Sequence, residues 1–242
     1  MLYRLTLLSS VLLMFTISGE STAADRPIII SDHSSDRSVA PNVFGSVAIP
    51  LAHSRYDTRW QRVLHQTRSP QLSVLVRQAA LLGPDQKVRF VNSFLNRAIR
   101  YEFDTDRSGD QWATVTETMT RMAGDCEDIA IAKMQALRAL GMPASDLYMT
   151  VGRDGASEAI HALLLVRMGN RFWVLDNRTD RLVAQDEFGD FRPILTFSGA
   201  GTWTHGYRLG RQPANSIMIA LNKATLPIGI TVRSATWSGA RH

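Results

Sequence analysis

Gly124-Asp125-Cys126-Glu127-Asp128-Ile129-Ala130-Ile131-Ala132-Lys133-Met134 reads as the opening of a helix that begins on a thiol. Asp125 is a capping residue type, and Asp128 is an acid in the first turn, where it suits the helix dipole. Gly141 and Pro143 close the segment. Cys126, Ala130, Met134, Leu137 and Leu140 recur at helical spacing, so the thiol is predicted on a core-facing stripe. Cys126 is the chain's single cysteine, which excludes an intramolecular disulfide. A helix N-terminus favours negative charge, so a thiol placed there is predicted to gain thiolate character.

Working outward, the pattern changes period on the two sides of this helix. Upstream, apolar residues at helical spacing predict short helices around 57–64, 70–83, 84–99 and 115–122. Asp57-Thr58 is read as the cap of the first, and Pro70 and Pro84 open the second and third. Downstream, short apolar runs at 147–151, 160–166, 172–175, 182–184, 194–197 and 202–207 are separated by turn residues such as Gly169-Asn170. Helices first and antiparallel strands afterwards predict an α+β domain.

The turn at Gly169-Asn170 makes 160–166 and 172–175 a hairpin. Pairing about that turn brings His161 and Asp176 across from each other within a residue or two. An imidazole there can donate one N–H to the carboxylate and take a thiol proton on its other nitrogen. Each residue alone has an ordinary reading: Cys126 as a small buried hydrophobe, His161 as a hydrogen-bonded strand residue, Asp176-Asn177 as a turn start. Taken together, a capped helix-start thiol and a hairpin His/Asp pair point to nucleophilic catalysis, with Cys126, His161 and Asp176 as the candidate catalytic residues. His33, His53, His65, His205 and His242 lack an acidic strand partner.

The ends and composition set the context. Arg4, the apolar stretch from Leu5 to Ile17, and Ser21-Thr22-Ala23-Ala24 form a secretory signal pattern, too short for the ~20 residues of a membrane span. Residues 1–24 are therefore expected to be removed, 25–43 to form a polar mobile leader, and 44–210 to form the domain, with 211–242 as an extension. Export to the periplasm or beyond is the expectation, and a free thiol is unusual there. The net charge of +5 is carried without a Lys/Arg block interleaved with aromatics, so no nucleic-acid partner is expected.

Asp110-Gln111-Trp112, the Gly124–Asp128 core with Ala130-Ile131-Ala132-Lys133, Leu137-Arg138-Ala139-Leu140-Gly141, His161-Ala162 and Val174-Leu175-Asp176-Asn177 resemble the bacterial transglutaminase-like cysteine peptidases, whose best-known members are the LapG-like periplasmic proteases. The resemblance implies a papain/transglutaminase-like α+β fold. It makes Cys126 the nucleophile, His161 the general base and acid, and Asp176 the orienter. It also implies calcium near the nucleophile, on the positions matching Asp125 and Glu127, although two carboxylates cannot fill a Ca²⁺ shell of six to eight oxygens. Further implications are a large surface adhesin as protein substrate and an inner-membrane receptor as regulator. Two alternatives stay open. The acyl-enzyme could be resolved by an amine or start from glutamine, giving transglutamination or deamidation; or the fold could serve as a silent envelope-binding module. Trp112 is read as a core residue more readily than as a cleft wall.

Overall fold

The computed structural model describes residues 28–30, 40–66, 69–103, 111–208, 217–220 and 231–232. The predicted signal segment 1–24 lies outside the described residues, as do most of the predicted leader and most of the predicted C-terminal extension. In chain order the elements are β1 (Ile28–Ile30), β2 (Val47–His53), α1 (Asp57–Leu64), α2 (Ser73–Ala79), α3 (Pro84–Ala98), β3 (Arg100–Tyr101), α4 (Val115–Arg121), β4 (Ala123–Gly124) and α5 (Cys126–Ala139). The strands β5 (Leu147–Asp154), β6 (Ile160–Met168), β7 (Arg171–Leu175), β8 (Val183–Ala184), β9 (Phe191–Ser198), β10 (Gly201–Arg208), β11 (Ile217–Ala220) and β12 (Thr231–Val232) follow. This is the predicted α+β class, except that two strands, β1 and β2, precede the helices.

Antiparallel pairing links the large sheet as β1-β11-β10-β9-β5-β6-β7-β8, with β2 also on β10 and β12 on β2. Strand β2 runs through Pro50, which stands opposite Trp203, although a proline ordinarily marks the end of an apolar stretch. Within the predicted leader, 28–30 pairs with β11, and Val43 is buried in the core.

Alternation decides which side chains meet the helices. Leu147, Met149, Leu164, Val166, Leu195 and Phe197 join the core beneath the helices. Tyr148, Leu163, Leu165, Val174 and Trp203 form a second core on the opposite face, closed by Val43 and partly by Phe44 and Phe188. Trp112 is buried in the first core and stacks on Tyr56 with ring centroids 5.3 Å apart, so it does not line a cleft.

Helix α5 differs from its predicted single stripe. Residues 128–137 are all buried, because α5 packs on α2, α3 and α4 on one side and on β5 and β6 on the other. Its end is a Schellman turn: Met142 N–H bonds Leu137 O, Gly141 N–H bonds Arg138 O, and Gly141 takes φ +90°. Helix α1 is also capped differently from expectation. Tyr56 precedes it without a side-chain cap, and Asp57 instead accepts from Ser54 N–H.

A buried polar chain crosses the sheet. Ser46 Oγ donates to Val43 O and so accepts from His205 Nδ1 at 2.8 Å; His205 Nε2 then accepts from Thr196, which meets Thr150. Burial pushes His205 from 6.5 down to about 3. Between those values only the unfolded chain takes the proton, so this group's contribution to stability is lost as pH falls from about 6.5 toward about 3. His205→Gln is expected to melt lower than wild type at pH 7 but to show a flatter decline on acidification, measured as Tm against pH.

Candidate active site

The start of α5 is built by its acids. Asp125 caps the helix by accepting Asp128 N–H at 3.1 Å. Asp128 is buried and accepts from Ala113 N–H at 2.7 Å and Arg121 Nη2 at 3.1 Å, tying α5 to α4 and the segment before it. Gly124 leaves room for that carboxylate: a Cβ there would stand 2.7 Å from Asp128 Oδ2. Cys126 is therefore held at the first helical position, and it is nearly buried.

The β6–β7 hairpin supplies the other two residues. Its register sets Leu164 opposite Leu175, so Asp176 lies just beyond the ladder and diagonal to His161. His161 Nε2 and Asp176 Oδ1 are 2.9 Å apart, and both side chains are 5% exposed, which places the pair out of bulk water. A carboxylate only accepts, so Nε2 carries the proton and Nδ1 is the basic nitrogen. Asp176 Oδ1 also accepts Arg178 N–H at 3.1 Å. Burial alone would raise the Asp176 carboxyl, but the His161 hydrogen bond and charge, with Arg178, outweigh it and hold it below the ordinary carboxylate range.

The thiol meets the same strand, since Cys126 accepts the backbone N–H of Ala162, the residue after His161. Its own proton is donated to Glu127 Oε2 at 2.9 Å. Here the electrostatics differ from the sequence expectation. Burial and the charge and hydrogen bond of Glu127 push the thiol well above its usual range, and the Ala162 N–H only partly opposes them. The helix N-terminus does not by itself yield a thiolate. Tyr101 looks onto the same charges, and burial, Cys126, Asp125 and Glu127 raise it to about 12.

Beside His161 lies an open cavity of about 470 Å³, lined also by Asp154, Gly155, Arg181, Phe188 and Phe191. The other described histidines are placed elsewhere: His205 in the buried chain, His53 on the surface by Asp57, and His65 on its own helix at Gln61 O. His33 and His242 lie outside the described residues.

Among the described residues, no group of three or more His, Cys, Asp or Glu is arranged to hold a metal. Asp125 and Glu127 are the hard donors nearest the thiol, and each already has partners.

Three supporting residues escape a reading for periodicity. Asn92 and Asn96 on α3 donate to Thr179 O, and Asn96 also to Asp176 O, so they hold the turn that carries the carboxylate. Lys133 is fully buried on α5. The available signal was chemical: Asn92 interrupts the stripe of Val88, Val91 and Leu95, and Lys133 sits in an apolar run.

The family model for the bacterial transglutaminase-like cysteine proteinases matches residues 43–192, which contain this whole constellation. The chain belongs to that family. It is a cysteine peptidase with a transglutaminase-like fold. Solved structures of Legionella pneumophila LapG are similar to it. The calcium-bound form is 24% identical with a TM-score of 0.51, covering 61% of this chain and 86% of that one. A second LapG structure is 24% identical with a TM-score of 0.50, covering 64% and 89%. At that identity the likeness is one of fold. No curated protein sequence matches the chain.

Proposed function

We propose that this transglutaminase-like cysteine peptidase cleaves an exported protein through a Cys126–His161–Asp176 triad. The observation that carries the reading is the shielded His161–Asp176 hydrogen bond, on the strand whose next N–H meets the Cys126 sulfur. Asp176 fixes the ring and its tautomer, leaving Nδ1 to take the thiol proton as sulfur attacks a peptide carbonyl. Because Glu127 and burial disfavour a resting thiolate, His161 removes the proton as attack proceeds. The protonated imidazole then gives its proton to the leaving amine, and water releases the acyl group from sulfur. The Cys126 backbone N–H, at a helix start without an intrahelical acceptor, is suited to the oxyanion.

The substrate we propose is a surface adhesin, the chain being exported, with an inner-membrane receptor as its regulator. Among the described residues no helix is long and apolar enough to cross a membrane. Mapping of new N-termini in envelope proteins, with wild type against Cys126→Ser, tests activity and substrate together. Cuts that depend on Cys126 are expected. Amine incorporation without cuts would make the acceptor an amine, Cys126-dependent conversion of glutamine to glutamate would make the protein a deamidase, and the absence of all these outcomes would leave a binding module.

Calcium enters the proposal as a ligand of Asp125 and Glu127. Legionella LapG has been solved both calcium-bound and EGTA-treated. The two carboxylates have the right chemistry but fall short of six to eight oxygens, so no step is routed through the ion. Metal-stripped protein is expected to melt higher as Ca²⁺ is added, and Glu127→Gln to shrink that shift. A melting temperature indifferent to Ca²⁺ would remove calcium from the account.

A further inference from the structure

Lys133 lies two turns along α5 from Cys126 and is completely buried, beside Ile129, Ala132, Met134 and Leu137. Its Nζ has no hydrogen-bond partner. An unpaired ammonium in such a place is destabilising, and a well-packed apolar side chain of similar volume would be neutral or stabilising. The charges that reach it come first from Asp176 and then from Asp180, at the two ends of one turn. The same turn is held by Asn92 and Asn96 through Thr179 O and Asp176 O. Asn92 Oδ1, Asn96 Oδ1 and Asn177 Oδ1 are buried acceptors without a donor. A three-donor cation is thus enclosed near a turn rich in unspent acceptors. Both hydrogen bonds to the Asp176 carboxylate fall on Oδ1, leaving its second oxygen to be fixed by charge.

We propose that Lys133 is a positioning residue whose ammonium, buried within reach of the Asp176 and Asp180 charges, holds the Asp176 carboxylate in place behind His161. The inference rests on the proposed role of Asp176. Burial lowers Lys133 to about 7 against the pull of Asp176 and then Asp180, whose charges favour the cation. Stability is given up for the geometry of the site.

The test needs no substrate, because iodoacetamide can label the single cysteine and intact mass reads the labelling. Lys133→Met is expected to alkylate about tenfold more slowly at Cys126 while melting at or above the wild-type temperature. The far-downfield proton resonance of the His161–Asp176 hydrogen bond, assigned by its loss in His161→Ala, is expected to shift or vanish. In an Asp176→Asn background Lys133→Met is expected to change the rate less than about twofold, because it acts through that carboxylate. A variant that melts lower but keeps the wild-type rate and resonance would make Lys133 a structural residue only. A full tenfold loss in the Asp176→Asn background would place its action elsewhere. If Lys133→Met fails to fold, Lys133→Gln runs through the same cycle. Equal alkylation of wild type and His161→Ala would instead overturn the triad reading itself, so the two failures are distinct.

Discussion

Cys126→Ala protein is expected to lose proteolysis entirely while keeping its fold. The thiol is the proposed nucleophile, and in other triads loss of the nucleophile costs on the order of 10⁶ in kcat. The structural penalty is small for three reasons. Cys126 occupies the first helical position, where alanine has the best propensity. The helix start is held by Asp125 and Asp128, not by the sulfur. The lost thiol bond to Glu127 is worth about 1 kcal/mol net. Purified Cys126→Ala that melts like wild type but does not cut the substrates found by N-terminal mapping is the expected result. Retained turnover would end the catalytic assignment.

His161→Ala is expected to be nearly as damaging, since members of a triad act as a unit. No second histidine stands ready among the described ones. His205 is engaged on both ring nitrogens, and His53 and His65 are surface residues on or near α1. Asp176→Asn is expected to leave more residual activity, because it disturbs tautomer and orientation while the proton carrier remains. Its fold should survive, since the Asn96 bond is to the backbone oxygen of residue 176 and is untouched. Comparing kcat for the two variants at one pH checks the order. The reverse order would reassign the base.

The α+β order, the helix that opens on Cys126 and the β6–β7 hairpin were legible because each rests on local chemistry: a capping aspartate, a closing glycine, a Gly-Asn turn. The register about that turn predicted the His161–Asp176 approach to within two residues. Less legible were properties that depend on several elements meeting. The helix stripe was read too narrow, because no local pattern tells that α5 is enclosed by helices and sheet together. The thiol's environment was read from the helix dipole alone, whereas burial and the neighbouring Glu127 outweigh it. The strand character of β2 was hidden by Pro50, which a strand tolerates where its missing N–H is not needed. Lys133 and the two asparagines of α3 were visible only as exceptions to an apolar pattern, and their role follows from the turn they jointly meet.

In the proposed mechanism His161, held by Asp176, removes the Cys126 proton. Iodoacetamide labelling of the single cysteine at pH 7, in wild type and in His161→Ala, tests it most directly. The labelling rate is expected to fall by about 10²-fold or more when the imidazole is removed, the scale of general-base assistance. Equal rates in the two proteins, each with an unchanged melting temperature, would contradict it.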